Sequence, residues 1–159
     1  MSTSMPSRPR QVGQRRTFAI VASEYNGEFV QGLIDHARRE LEAISPSFNV
    51  ILLEVPGAFE IPLFVQEIAT RGGIDAIIAL GVIIEGETQH ASLIASAITQ
   101  SLLQISLAQR IPVIHEVLLV KDAEQAHARC LQEEINRGTE AARTAARVVQ
   151  ALGQLRGGR

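Results

Sequence analysis

A carboxylate and an imidazole at two strand-to-helix turns are the side chains of this sequence best placed to do chemistry. In the first turn, Val55-Pro56-Gly57-Ala58-Phe59-Glu60-Ile61-Pro62, a run of strand character ends and a helix starts around Glu60. The second, Gly86-Glu87-Thr88-Gln89-His90, follows another apolar run and opens a second helical pattern. Strand ends that lead into short Gly-containing turns border a ligand crevice at the carboxyl edge of a parallel sheet, and amides at a helix start attract anions. The Gly86-Glu87-Thr88 amides and the Thr88 hydroxyl form such a helix start, although a Gly-x-Thr turn alone is a weak signal. His90 offers a side chain whose ordinary pKa, about 6.5, suits proton transfer near neutrality. Bland readings stand beside these. His90 at a helix start can simply make a local hydrogen bond, and Glu60 can answer the helix dipole.

The elements that must position these residues alternate along the chain. Phe18 to Ala22, Val50 to Val55, Ala76 to Ile84 and Val113 to Val120 are continuous apolar runs without polar alternation, the pattern of strands covered on both faces. Between them, Val30, Leu33, Ile34, Ala37, Leu41 and Ile44 recur at helical spacing, as do Ile94, Ala97, Ile98, Leu102 and Ile105. Helical crossovers make the joined strands parallel. Asp122 with Gln125 reads as a capping pair for a further helix, and Arg137-Gly138-Thr139 as punctuation before a last Ala-rich helix ending near Gly153. Residues 131–135 are able to continue the helix before that punctuation. The expected fold is an α/β three-layer sandwich, a flavodoxin-like four-stranded parallel sheet with helices on both faces.

At 159 residues the chain suits one domain. A hydrophobic share of 46% with 20% charged residues, and no apolar stretch read as long enough to cross a bilayer, points to a soluble, cytoplasmic protein with no membrane role. Four of the fifteen basic residues, Arg8, Arg10, Arg15 and Arg16, fall in the first sixteen positions without an acid, so eleven remain against seventeen acidic residues in the body. Such an arm among Ser, Pro, Gln and Gly reads as a disordered tail over residues 1–16 rather than a nucleic-acid grip, with a single domain over 17–153 and a flexible end over 154–159. Cys130 is the lone cysteine, which leaves no internal disulfide and no thiol pair for a metal or redox site. A four-stranded sheet has two edges to cover, and association of identical subunits is one way to cover them.

From Thr17 to Leu152 the sequence resembles the 6,7-dimethyl-8-ribityllumazine synthase family of riboflavin biosynthesis. The resemblance rests on Val55 to Pro62, on Asp75-Ala76 leading to Gly81 through His90, on Glu124-Gln125-Ala126 with Arg129, and on Asn136-Arg137-Gly138 with Glu140-Ala141-Ala142. It implies condensation of 5-amino-6-(D-ribitylamino)uracil with 3,4-dihydroxy-2-butanone 4-phosphate to the lumazine, phosphate and water, without metal or organic cofactor. It implies His90 as general acid/base, and Tyr25, Ala58, Phe59, Glu60, Val82, Ile83, Ile84 and His115 around the ribitylaminouracil. Glu87, Thr88 and Arg129 fall to the butanone phosphate. It further implies pentamers, in some members closed into sixty-subunit shells, with each active site shared: Arg129 and His115 would reach across from a neighbour.

Several positions depart from the family pattern. Tyr25 stands where Phe or Trp usually stacks on the pyrimidine, His115 where Phe is usual, Glu85 for a common Arg, Ala91 for an aromatic and Arg137 for Lys. The departures at Glu85, Ala91 and His115 define the competing expectation, a non-catalytic flavin- or lumazine-binding or shell-forming member. The retention of Glu60, Thr88, His90 and Arg129 together favours the enzyme.

Overall fold

The computed structural model describes residues 4–11, 15–86 and 89–157. The chain alternates β1 (Thr17–Ser23), α1 (Gly27–Ile44), β2 (Asn49–Val55), α2 (Ile61–Arg71), β3 (Ala76–Ile84), α3 (His90–Gln109), β4 (Val113–Val120), α4 (Ala123–Cys130) and α5 (Arg137–Gly157). The strands are parallel in the order β2-β1-β3-β4, which is the expected three-layer sandwich. β1 and β3 sit centrally and are dry on both faces, which explains their unbroken apolar sequence. Phe18, Ile20, Ile78 and Leu80 face α1, α4 and α5, whereas Val21, Ile77 and Ala79 face α2 and α3. The strand order reverses between β1 and β3. That reversal opens a crevice at their carboxyl ends, where the loops diverge to opposite faces.

Asp122 caps α4 as expected, its Oδ1 accepting from the Gln125 amide at 2.8 Å. The last helix differs from the reading of the sequence. It begins at Arg137 and runs on to Gly157, so Arg137, Gly138 and Thr139 form its first turn instead of preceding it, and Gly153 lies inside it. Asn136 is the reason: its Oδ1 accepts from the amides of Gly138 and Thr139 at 2.9 and 3.3 Å, satisfying two donors that a helix start leaves over. Its Nδ2 donates to the carbonyls of Cys130 and Gln132, so residues 131–135 fold into turns and not a continued helix. Gly138 is required by proximity, because a Cβ there would lie 2.2 Å from the Leu33 carbonyl oxygen of α1. Ala141, Ala142, Ala145, Ala146 and Val149 continue that close seam.

Residues of the N-terminal arm lie against the body. Arg8 and Arg143 both reach Glu40 at 2.7 Å, and the Gln11 amide donates to the Ala146 carbonyl. Cys130 is buried among α1, α4 and α5 and its thiol is pushed up to about 12, chiefly by burial, as befits an inert core group. One expectation needs correction. The helix α3 is twenty residues long and contains an eighteen-residue window of mean hydropathy 1.4, by length and composition alone apolar enough to cross a bilayer. Only Ile98, Leu102 and Ile105 of that helix are buried, and Leu93, Leu103 and Leu107 stand exposed. Small and polar residues interrupt the helix, so the sequence pattern looked amphipathic where the fold leaves a second apolar face open.

Candidate active site

The crevice at the β1–β3 reversal has a volume of about 330 Å³ and is lined by Tyr25, Asn26, Gly57, Ala58, Phe59, Glu60, Val82, Ile83, Ile84 and Ile94. Pairing between β1 and β2 continues past the strands: the Glu24 amide donates to the Val55 carbonyl and the Tyr25 amide to the Pro56 carbonyl. The loop after β1 is thereby held beside the loop after β2. Asn26 takes a left-handed conformation, φ 58°, and its Nδ2 donates to the Val82 carbonyl at 2.7 Å, which ties the start of α1 to β3. Asn and Gly tolerate this conformation best. Gly57 permits the other wall. A Cβ at position 57 would lie 2.6 Å from Glu60 Oε2 and 3.3 Å from the Tyr25 ring, so the Glu60 carboxylate folds back over the glycine beside the aromatic face.

A single 3-10 turn over Ala58–Glu60 leads into α2, with Pro62 at the first turn of that helix, where a missing N–H costs nothing. Tyr25 and Phe59 remain 71% and 63% exposed. Two aromatic rings open to solvent at the mouth of a crevice, with a carboxylate beside them, suit a planar ring bearing polar groups.

Seven of the residues singled out in the sequence thus meet in one crevice: Tyr25, Ala58, Phe59, Glu60, Val82, Ile83 and Ile84. His90 opens α3, exposed, and Ile94 of the crevice wall lies one helical turn beyond it on the same face. Glu87 and Thr88 lie outside the described residues. Glu85 is exposed, so its charge faces solvent. His115 and Arg129 do not join the crevice within one chain. Arg129 is half-buried in the last turn of α4, behind the sheet.

His115 lies on β4, an edge strand. Its Nδ1 accepts from the Val117 amide at 3.1 Å, and its Nε2 is 2.7 Å from Thr99 Oγ1, whose hydroxyl donates to the Ala95 carbonyl. This network assigns the neutral ring with its proton on Nε2. Burial lowers its pKa below the ordinary value, in agreement with that form. A second cleft, about 380 Å³, follows this open edge and is lined by His115, Glu116, Val117, Leu118, Leu119, Arg137 and Glu140. In it Arg137 is ion-paired with Glu140. The Glu116 carboxyl is pushed up to about 8, first by burial and then by Glu140, against the opposing pull of Arg137. A third cleft at the amino ends of the strands holds none of the expected catalytic or substrate-binding residues, and both oxygens of its Asp75 are engaged by Arg16 and the Thr17 amide.

Comparison with known proteins shows the family. A family model described as 6,7-dimethyl-8-ribityllumazine synthase matches residues 15–153. This chain belongs to that family. It is 39% identical over 143 residues to the 6,7-dimethyl-8-ribityllumazine synthase of Halorhodospira halophila, covering 89% of this chain and 92% of that one. It is 40% identical over 153 residues to the enzyme of that name from Paraburkholderia phymatum, covering 94% and 87%. In this lumazine synthase chain, sequence reasoning missed Asn26, Ile94 and Glu116. Asn26-Gly27 before a helical run was a legible signal for a special turn, and a carboxylate inside the apolar run of β4 was legible as a break in the pattern.

Proposed function

We infer that this lumazine synthase condenses 5-amino-6-(D-ribitylamino)uracil with 3,4-dihydroxy-2-butanone 4-phosphate, releasing phosphate and water and forming 6,7-dimethyl-8-ribityllumazine. The observation that carries this reading is the crevice itself. It gathers Tyr25, Ala58 to Glu60 and Val82 to Ile84 at the strand-order reversal of a chain matched to the family over 15–153. Glu60 accepts hydrogen bonds from ribityl hydroxyls and fixes the polyol, while Tyr25 stacks on the pyrimidine. Imine formation, phosphate elimination and ring closure each move a proton, and His90, one turn above Ile94, carries them. Arg129, Thr88 and the Glu87 segment receive the phosphate. The conversion involves no net oxidation or reduction, so it calls for no redox cofactor.

The protein is a homo-oligomer in this reading, a pentamer in its finer form, able in principle to close further into a shell. The apolar residues left open on α3, Leu93, Leu103 and Leu107, need a neighbour's cover. His115 and Arg129 stand away from the crevice of their own chain and serve a neighbour's. Residues 17–153 are the working domain, the arm and end segments are accessory, and no nucleic acid or membrane takes part; residence is cytoplasmic.

The test is an absorbance assay for lumazine formation by purified protein from the two substrates, with light scattering on the same sample. Product above the uncatalysed background from an oligomer is expected. Well-folded oligomer that retains a yellow chromophore but shows no turnover would replace the enzyme by a binding protein.

A further inference from the structure

Residues 4–11 lie along the seam between α1 and α5, and their polar groups meet both helices. The Arg8 guanidinium grips the Glu40 carboxylate of α1 with two bonds, Nε to Oε1 at 2.7 Å and Nη2 to Oε2 at 2.9 Å. Arg143 of α5 donates to the same Oε1 through its Nε at 2.7 Å, and from Nη1 to the Pro6 carbonyl at 3.0 Å. Three residues beyond Arg8, the Gln11 side-chain amide donates to the Ala146 carbonyl of α5 at 2.8 Å, and Gln11 is itself buried. Glu40 joins the parts of this network. It sits on the buried side of α1 with Leu33, Ala37 and Ile44, where a carboxylate needs cations around it, and one of its two cations comes from the arm.

The arm is preset for these contacts. Pro6 and Pro9 fix their own backbone angles and keep the residues before them extended, so ordering the segment costs less entropy than it would for most sequences. Both prolines are half-buried and three residues apart, the spacing that brings side chains of a polyproline-type ribbon to one side.

We propose that residues 4–11 are a strap that clamps α1 to α5, and that the Arg8–Glu40 ion pair decides whether it is closed, so that ionic strength opens the strap while the body stays folded. The inference is independent of the catalytic reading. The Arg8 side chain is 52% exposed and that of Glu40 8%, so counterions reach the pair from the arm side and weaken it. The bonds from Gln11 and to Pro6 end on neutral carbonyls and have no such dependence on both partners' charge.

Limited proteolysis of the whole assembled protein by trypsin tests the proposal. Arg8 precedes Pro9, which blocks cleavage there, so the Arg10–Gln11 bond reports opening of the strap. The rate of that cut, followed by mass spectrometry, is divided by the rate for a synthetic peptide of matching sequence over residues 4–16, so that effects of salt on the protease cancel. Where opening is fast relative to cleavage, this ratio follows the open fraction. The parent should be cut roughly tenfold or more slowly than the peptide. Arg8→Gln, a change at an exposed side chain, should raise the ratio by roughly five- to tenfold, Glu40→Gln by at least as much, and the double variant no further than Glu40→Gln alone. Raising NaCl from about 0.05 to about 0.5 M should bring the parent toward the Arg8→Gln variant and leave that variant nearly unchanged. A parent cut as fast as the peptide, or an Arg8→Gln ratio equal to the parent's at both salt concentrations, overturns the proposal. Where Glu40→Gln fails to assemble, Arg8→Gln and the salt series still decide.

Discussion

Replacing Glu116 by Gln should stabilise this protein, and by an amount that grows with pH. The carboxyl has an ordinary value of 4.5 and stands at about 8 in the fold. The unfolded chain therefore loses the proton first, and ionisation there draws the equilibrium toward unfolding. Stability from this group is fully present below pH 4.5 and is lost as pH rises to about 8. At about 1.4 kcal/mol per pH unit, the loss reaches about 3 kcal/mol at pH 7 and levels near 5 kcal/mol above the folded value. Gln keeps shape and donor capacity without the titration. The Gln variant and the parent should then unfold alike at pH 4, while at pH 7 the variant melts higher by roughly 10 °C for a chain of this size. Thermal unfolding at half-unit steps from pH 4 to 9, at one fixed protein concentration so that assembly contributes equally, measures the difference. A difference independent of pH would refute the reasoning, since it would mean that Glu116 ionises as readily in the fold as outside it.

His90→Ala should lower kcat yet leave residual turnover, because binding both reactants in one site supplies part of the rate without proton transfer; unchanged kcat would remove His90 from the chemistry. Arg129→Ala should raise the apparent KM for the butanone phosphate by roughly 10- to 100-fold and that for the uracil far less, and equal effects in steady-state kinetics would reassign it. Gly138→Ala places a methyl 2.2 Å from the Leu33 carbonyl and should cost roughly 1–3 kcal/mol in urea unfolding, with no loss expected if α5 can slide along α1. Burial depresses the His115 pKa, so stability from its neutral form holds above the ordinary value of 6.5 and is lost as pH falls. An NMR titration placing His115 above that value would contradict the assigned neutral ring.

The strands and their parallel order were legible because both faces of β1 and β3 are covered, and burial on two sides leaves an unbroken apolar run. The crevice was legible for the same reason that it exists: Gly57 is dictated by the fold-back of Glu60, and a Gly between strand and carboxylate is visible in a sequence. The start of α5 was not. Asn136 caps through its side chain, and an Asn before Arg-Gly-Thr reads as punctuation unless one knows that its Nδ2 is fastened to Cys130. The open face of α3 was hidden too, since Leu93, Leu103 and Leu107 lie at helical spacing whether they meet their own sheet or another subunit. His115 and Arg129 could be carried over from a resemblance, but neither has a local pattern that would place it behind or beside the sheet.

The two titrating groups of β4 have opposite consequences, and together they argue for what the edge is for. His115 is held neutral by burial and by donors and acceptors already filled, so acid costs the fold stability; Glu116 is held protonated, so alkali does. Neither group belongs to the apolar core clusters on the two faces of the sheet. Exposed edges are commonly guarded by charge, yet both of these groups are uncharged near neutrality, which makes them poor guards and good hydrogen-bonding partners. The Val117 amide points out of the open edge, where it is met by His115 Nδ1 instead of another strand. That contact leaves one outward donor fewer for an incoming strand. An edge so finished fits the proposal that His115 serves the crevice of a neighbouring subunit.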